Sequence, residues 1–128
     1  MRTSSTAFAA ALCKMAERGQ IRHALIDGPL AFDNAISREA ARIKGIISSV
    51  AGDPDILLAP DLEAANILAK QLTFLARADS AGLVLGARVP IILTSRADSV
   101  RSRIASCGVA MLAAHARRQP GERAMRAR

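Results

Sequence analysis

The segment Pro90-Ile91-Ile92-Leu93-Thr94-Ser95-Arg96-Ala97-Asp98-Ser99 ends an apolar run in a hydroxyl, a guanidinium and a carboxylate. Together these groups suit anion chemistry. A guanidinium is a fixed fork of donors for phosphate or carboxylate. A hydroxyl can donate to a developing oxyanion. A carboxylate can take a proton or cap a helix. Val100, Ile104, Cys107 and Met111 then follow at helical spacing, so a helix begins with Asp98 or Ser99 as its cap. The pattern predicts Ser95 and Arg96 at the carboxyl end of a strand, beside a helix N-terminus. Open α/β sheets bind ligands there, and the helix end favours anions. The alternative is a serine cap and a surface arginine.

The elements that must hold this segment alternate along the chain. Helices are predicted over about 5–18, 34–44, 61–78 and 99–117, and strands over about 22–27, 55–59, 82–87 and 89–94. Ser48 to Pro54 reads as a loop. Asp61 is expected to cap the third helix, with Leu62, Ala65, Leu68, Leu72 and Leu75 facing inward. The strands are continuous apolar runs, as in a sheet covered on both faces. The fold class expected is α/β, a three-layer α/β/α arrangement with a mostly parallel sheet. The chain opens on a helix with no strand before it, which suggests a domain incomplete at its N-terminal side.

Length and composition fit one domain of 128 residues. The hydrophobic share is 51%, yet aromatics are only 2% and Trp and Tyr are absent, so Ala, Ile, Leu and Val must do the packing. That argues against aromatic platforms for single-stranded nucleic acid. The net charge is +7, of which residues 117–128 carry +4. This Arg-rich tail is expected to be disordered, with a nucleic-acid contact as the sharper alternative. Cys13 and Cys107 are too few for a disulfide framework and have no metal-ligand spacing. Both are expected to be buried structural thiols, in keeping with a cytoplasmic protein. His23 and His115 have no partner motif and read as surface or packing residues. Arg2 and Ala7–Cys13 mimic a short signal peptide, but the run is broken by Lys14 and continues as an amphipathic helix. No run reaches the roughly 18 apolar residues of a membrane span. Gly82 and Gly86 are too isolated for a dinucleotide fingerprint.

Two further motifs accompany Thr94–Ser99: Asp27-Gly28-Pro29-Leu30-Ala31-Phe32-Asp33-Asn34-Ala35 and Pro60-Asp61-Leu62-Glu63-Ala64-Ala65-Asn66. In order and spacing the three resemble the phosphate acetyltransferase/phosphate butyryltransferase family over roughly residues 7–114. The Thr-Ser-Arg-Ala-Asp-Ser form looks more like the butyryltransferase branch. The resemblance covers the C-terminal part of such an enzyme. It implies a domain over 7–116 and a further lobe ahead of this region, and leaves the basic tail over 117–128 outside it.

The resemblance also implies an activity, transfer of an acetyl, butyryl or similar short acyl group between phosphate and coenzyme A. Coenzyme A is a substrate, and no tightly bound cofactor or metal is expected. The implied partners are acyl-CoA or acyl phosphate, inorganic phosphate, and either further copies of the chain or the missing lobe. No membrane or nucleic-acid partner is expected.

Ser95 and Arg96 match the family's active-site pair. Family acetyltransferases carry an Asp where this chain has Ser102, which leaves Asp98 as the nearest carboxylate, either base or cap. Asp27, Asp33, Asp61 and Asn66 are implied near the substrate cleft, with turn and cap chemistry as the alternative for the three aspartates. Two readings of the chain stand, an acyltransferase domain and a non-catalytic α/β remnant or interaction module of the same family.

Overall fold

The computed structural model describes residues 4–118. They divide into two compact units that part between Ala65 and Asn66.

The first unit begins with α1, Ser4–Glu17, built from an alanine-rich stretch of high helix propensity. It ends where Gly19 turns left-handed at φ 71°. There the Gly19 amide donates to the Ala16 carbonyl at 2.9 Å and the Gln20 amide to Met15 at 2.9 Å, which satisfies two free carbonyls of the last turn. The helix predicted over 34–44 is two helices, α2, Phe32–Ile36, and α3, Arg38–Ile43. Ser37 breaks it. Its backbone is extended, and its Oγ accepts from the Ala40 amide at 3.2 Å as the N-cap of α3. The expected loop follows, with Ser48 Oγ accepting from the Val50 and Ala51 amides, both at 3.0 Å. The Gly52 amide closes it onto the Ala35 carbonyl at 2.9 Å.

α4, Leu62–Lys70, begins at the end of the first unit's sequence and continues into that of the second. Asp61 caps it as predicted, accepting from the Ala64 amide at 2.7 Å. The helix does not continue regularly to Ala78. It widens into a π-helical turn over Gln71–Leu75. Thr73 Oγ1 sits in that turn and donates to the Ala69 and Lys70 carbonyls at 2.9 and 3.2 Å, competition with the backbone ladder that distorts helices. Leu62, Leu72 and Leu75 are exposed rather than inward.

The mostly parallel sheet expected from the sequence does not form among the described residues. The sheet there is a two-stranded antiparallel ribbon of β1, Leu83–Val84, and β2, Ile91–Ile92, with Leu83 opposite Ile92 and Val84 opposite Ile91. The reason is local. The two strands lie a short loop apart, which permits a hairpin, whereas a parallel pair needs a crossover of about a dozen residues or more. Segments 22–27 and 55–59 are not strands, and their apolar side chains lie open, with Leu25 76%, Ile56 81% and Leu58 77% exposed. The three-layer arrangement is therefore not formed by these residues, which combine helices with one small sheet.

α5, Val100–Arg118, packs on both strands of the ribbon. Its inner face is small, with Ser106 1% and Ala110 8% exposed. Ser106 Oγ accepts from the Gly82 amide at 3.0 Å and donates to the Ser102 carbonyl at 2.7 Å. The face carrying Val100, Ile104 and Met111, expected to pack inward, is exposed, as is Cys107. The physical cause is the close approach at Ser106 and Ala110, which turns the larger side chains outward. α5 includes Arg117 and Arg118, two residues assigned to the tail from sequence. The tail expected to be disordered otherwise lies outside the described residues.

Candidate functional site

β2 stops three residues short of Ser95, and α5 starts two residues after Asp98. Between them the chain makes a tight turn. The Asp98 amide donates to the Ser95 carbonyl at 3.1 Å, and the Ala97 amide donates to Ser95 Oγ at 3.3 Å. Asp98 Oδ2 accepts from the Ser95 amide at 2.6 Å. The cap of α5 is Ser99, whose Oγ accepts from the Ser102 amide at 3.1 Å. Asp98 thus braces the turn, and Ser99 terminates the helix.

Arg96 is exposed, and Ser95 and Asp98 are half-buried. The Ser95 hydroxyl receives a hydrogen bond from Ala97, so its own hydrogen is directed to other acceptors. Asp98 spends Oδ2 on the backbone of Ser95, not on its hydroxyl. The turn can donate a hydroxyl proton into a hydrogen bond and present a guanidinium beside it. That is the equipment for stabilising an anion.

Two residues outside the sequence-based candidates complete the turn. Arg103 Nη2 donates to the Arg96 carbonyl at 3.2 Å. Arg103 lies two helical turns beyond Arg96 in sequence, a spacing that gives no signal while Arg96 is in a loop. Gly82 pairs with the strand leading to Ser95, since the Leu93 amide donates to its carbonyl at 3.1 Å. Ser102 lies in a hydroxyl cluster. Its Oγ meets Ser99 Oγ at 3.1 Å and Ser80 Oγ at 3.3 Å.

The remaining candidates have local roles. Asp27 Oδ1 accepts from the Gly28 amide at 2.8 Å, at the turn before Pro29. Asp33 holds Lys44 Nζ with both oxygens, at 2.6 and 2.8 Å, and accepts from the Asn34 amide at 2.8 Å. The Lys44 hydrogen bond, then the Asn34 amide, hold the Asp33 carboxyl below its ordinary pKa. A depressed carboxylate pKa favours the folded state above the ordinary value, and that contribution is lost as pH falls through the depressed one. Lys44→Met should therefore move the Asp33 carboxyl titration, followed by carbon-13 NMR, upward toward the ordinary range. Asn66 is exposed on α4. Asn34, the residue after Asp33, is 6% exposed, and its Oδ1 has no hydrogen-bond partner among the described residues.

The two thiols differ. Cys13 Sγ donates to the Gly28 carbonyl at 3.4 Å, which ties α1 to the Asp27 turn. Burial, then the charges of Asp27 and Glu17, push its pKa up. Cys107 is exposed, which corrects the expectation that both thiols are buried. A thiol reagent at mildly alkaline pH should label Cys107 quickly and Cys13 slowly. Mass spectrometry of the partly labelled chain checks the order.

Among the described residues no group of three or more His, Cys, Asp or Glu could hold a metal ion. No described helix is long and apolar enough to cross a membrane.

The family model "Phosphate acetyl/butaryl transferase" matches residues 2–113. The chain is 73% identical over 114 residues to a phosphate acetyltransferase of Rhizobium meliloti, covering 89% of this chain and 36% of that protein. It is 53% identical over 110 residues to a phosphate butyryltransferase of Clostridium beijerinckii, covering 86% and 36%. Identity is thus higher to this acetyltransferase than to this butyryltransferase. Among solved structures, a branched-chain phosphotransacylase from Enterococcus faecalis V583 superposes with a TM-score of 0.71 at 35% identity, over 85% of this chain and 39% of that one. The chain spans about a third of the length of the curated relatives it matches. Motif order, a family match over most of the chain, and a shared fold agree that the chain belongs to the phosphate acetyl/butyryl transferase family.

Proposed function

We propose that this chain supplies the Ser95–Arg96 half of an acyl-transfer site that interconverts acyl-CoA plus phosphate with acyl phosphate plus CoA. The observation that carries the proposal is the braced turn after β2, with Arg96 exposed and the Ser95 hydroxyl hydrogen available to a substrate. In the direction of acyl-CoA synthesis, the coenzyme sulfur attacks the acyl-phosphate carbonyl. The carbon–sulfur bond forms and the carbon–oxygen bond to phosphate breaks. The thiol proton ends on the departing phosphate, so atoms and charge balance. Arg96 neutralises phosphate charge, and Ser95 donates to the carbonyl oxygen or thiolate as negative charge develops. Holding two anionic substrates in line requires further cationic groups. In this reading they come from polypeptide equivalent to the other two-thirds of the relatives' length. The same polypeptide would pair segments 22–27 and 55–59 into a mostly parallel sheet of three layers, and their exposed Leu25, Ile56 and Leu58 support that role. In the same reading Asp27, Asp33, Asp61 and Asn66 serve substrate binding. The test is formation of acetyl-CoA or butyryl-CoA from the acyl phosphate and CoA. It is run with the chain alone and with the N-terminal two-thirds of the Rhizobium meliloti relative added. Turnover only in the combined sample supports the proposal; none in either favours the non-catalytic module.

A further inference from the structure

We infer that Asp98 and Arg103 are positioning residues that clamp the Ser95–Arg96 dipeptide at its two ends. The inference rests on the reading of Ser95 and Arg96 as site residues. Asp98 Oδ2 takes the amide hydrogen entering the dipeptide, at 2.6 Å from the Ser95 nitrogen. Arg103 Nη2 takes the carbonyl leaving it, at 3.2 Å from the Arg96 oxygen. A peptide fixed at its first N–H and its last C=O cannot rotate either flanking peptide plane without breaking a charge-assisted hydrogen bond. Ser95 Oγ, accepting from the Ala97 amide, is held within the same turn.

The geometry separates two roles for Asp98. A base would face the hydroxyl or the incoming thiol. Asp98 faces a backbone N–H, and an amide carbonyl can accept that bond nearly as well as a carboxylate. Arg103 acts from the helix. Its neighbour Arg101 is engaged with Asp79 at 2.6 Å. The clamp therefore ties the active turn to the helix that packs on β1 and β2.

The test uses acetyl phosphate and CoA with the chain combined with the N-terminal two-thirds of the Rhizobium meliloti relative. Amide hydrogen exchange at Ser95 is measured on the 128-residue chain itself. Asp98→Ala and Arg103→Ala should each lower kcat by about 10- to 100-fold through misplacement of the turn, with KM little changed. Asp98→Asn should keep most of the rate and the wild-type pH profile, and Arg103→Lys should recover part of the loss. Ser95 exchange should accelerate in Asp98→Ala and not in Asp98→Asn. Loss of rate in Asp98→Asn equal to that in Asp98→Ala would make Asp98 the base and overturn the inference. So would unchanged Ser95 exchange in Asp98→Ala. A wild-type rate in Arg96→Ala would instead bring down the site reading, leaving the exchange result to decide the clamp. If the combined sample does not turn over, the exchange comparison decides alone.

Discussion

Arg96→Ala lowers acyl transfer by about 100-fold or more, the usual scale for losing one preorganised donor at a transition state. The exposed guanidinium makes no salt bridge to a carboxylate among the described residues, so its removal leaves no buried charge unpaired and little stability is at stake. The loss should therefore appear in kcat and in the KM for the phosphate-bearing substrate, while the thermal transition stays put. Arg96→Lys should recover only part of the rate, because an ammonium keeps the charge but not the two-pronged geometry. Steady-state kinetics at varied acetyl phosphate, alongside thermal melting, separates these outcomes. A melting temperature that falls with the rate would make Arg96 a structural residue.

The second large effect is on folding. Gly82→Ala places a Cβ 1.9 Å from the Leu93 carbonyl oxygen and 3.1 Å from its carbon. Those are backbone atoms, so no side chain can swing aside. The same backbone accepts the Leu93 amide and donates to Ser106 Oγ, so relief of the clash breaks the pairing of the ribbon and its bond to α5. Overpacking at a tight backbone contact costs about 1–3 kcal/mol, and the lost Ser106 bond leaves a buried hydroxyl poorly satisfied, about 1–3 kcal/mol more. The strand that fails is the one that leads into Ser95. Gly82→Ala should thus lose both thermal stability and acyl transfer, whereas Ser106→Ala keeps the strand register and loses stability alone. Denaturant melts of the two variants check the difference. An unperturbed Gly82→Ala transition would show that the ribbon tolerates the clash.

The turn was legible in sequence because its cues are short-range. An apolar run, a cluster of Ser, Asp and Arg, and the onset of helical spacing lie within a dozen residues. The same holds for the cap at Asp61 and the end of α1 at Gly19. The role of Asp98 was open because a carboxylate three residues after Ser95 can reach a helix N–H, a hydroxyl or the Ser95 amide, and only geometry selects among them. For the sheet, the sequence pattern and the described residues differ. Periodicity reports that 22–27 and 55–59 are apolar, but a strand exists only with a neighbour to pair with, and pairing is non-local. The outward face of α5 misled for a related reason. Val100, Ile104, Cys107 and Met111 form a clean apolar stripe, yet the small Ser106 and Ala110 allow the closest approach and so take the buried side. Arg103 had no signal at all, since its bond is to a backbone carbonyl.

The central claim is that Ser95 and Arg96 serve acyl transfer within a larger family site. Its most direct test is acetyl-CoA formation from acetyl phosphate and CoA, using this chain combined with the N-terminal two-thirds of the Rhizobium meliloti relative. Wild type and Arg96→Ala are compared at equal concentration and equal helical content by circular dichroism. The account predicts turnover in the wild-type combination and a fall of about 100-fold or more in Arg96→Ala. Equal turnover by the two, or none in a combination shown to associate, would contradict it.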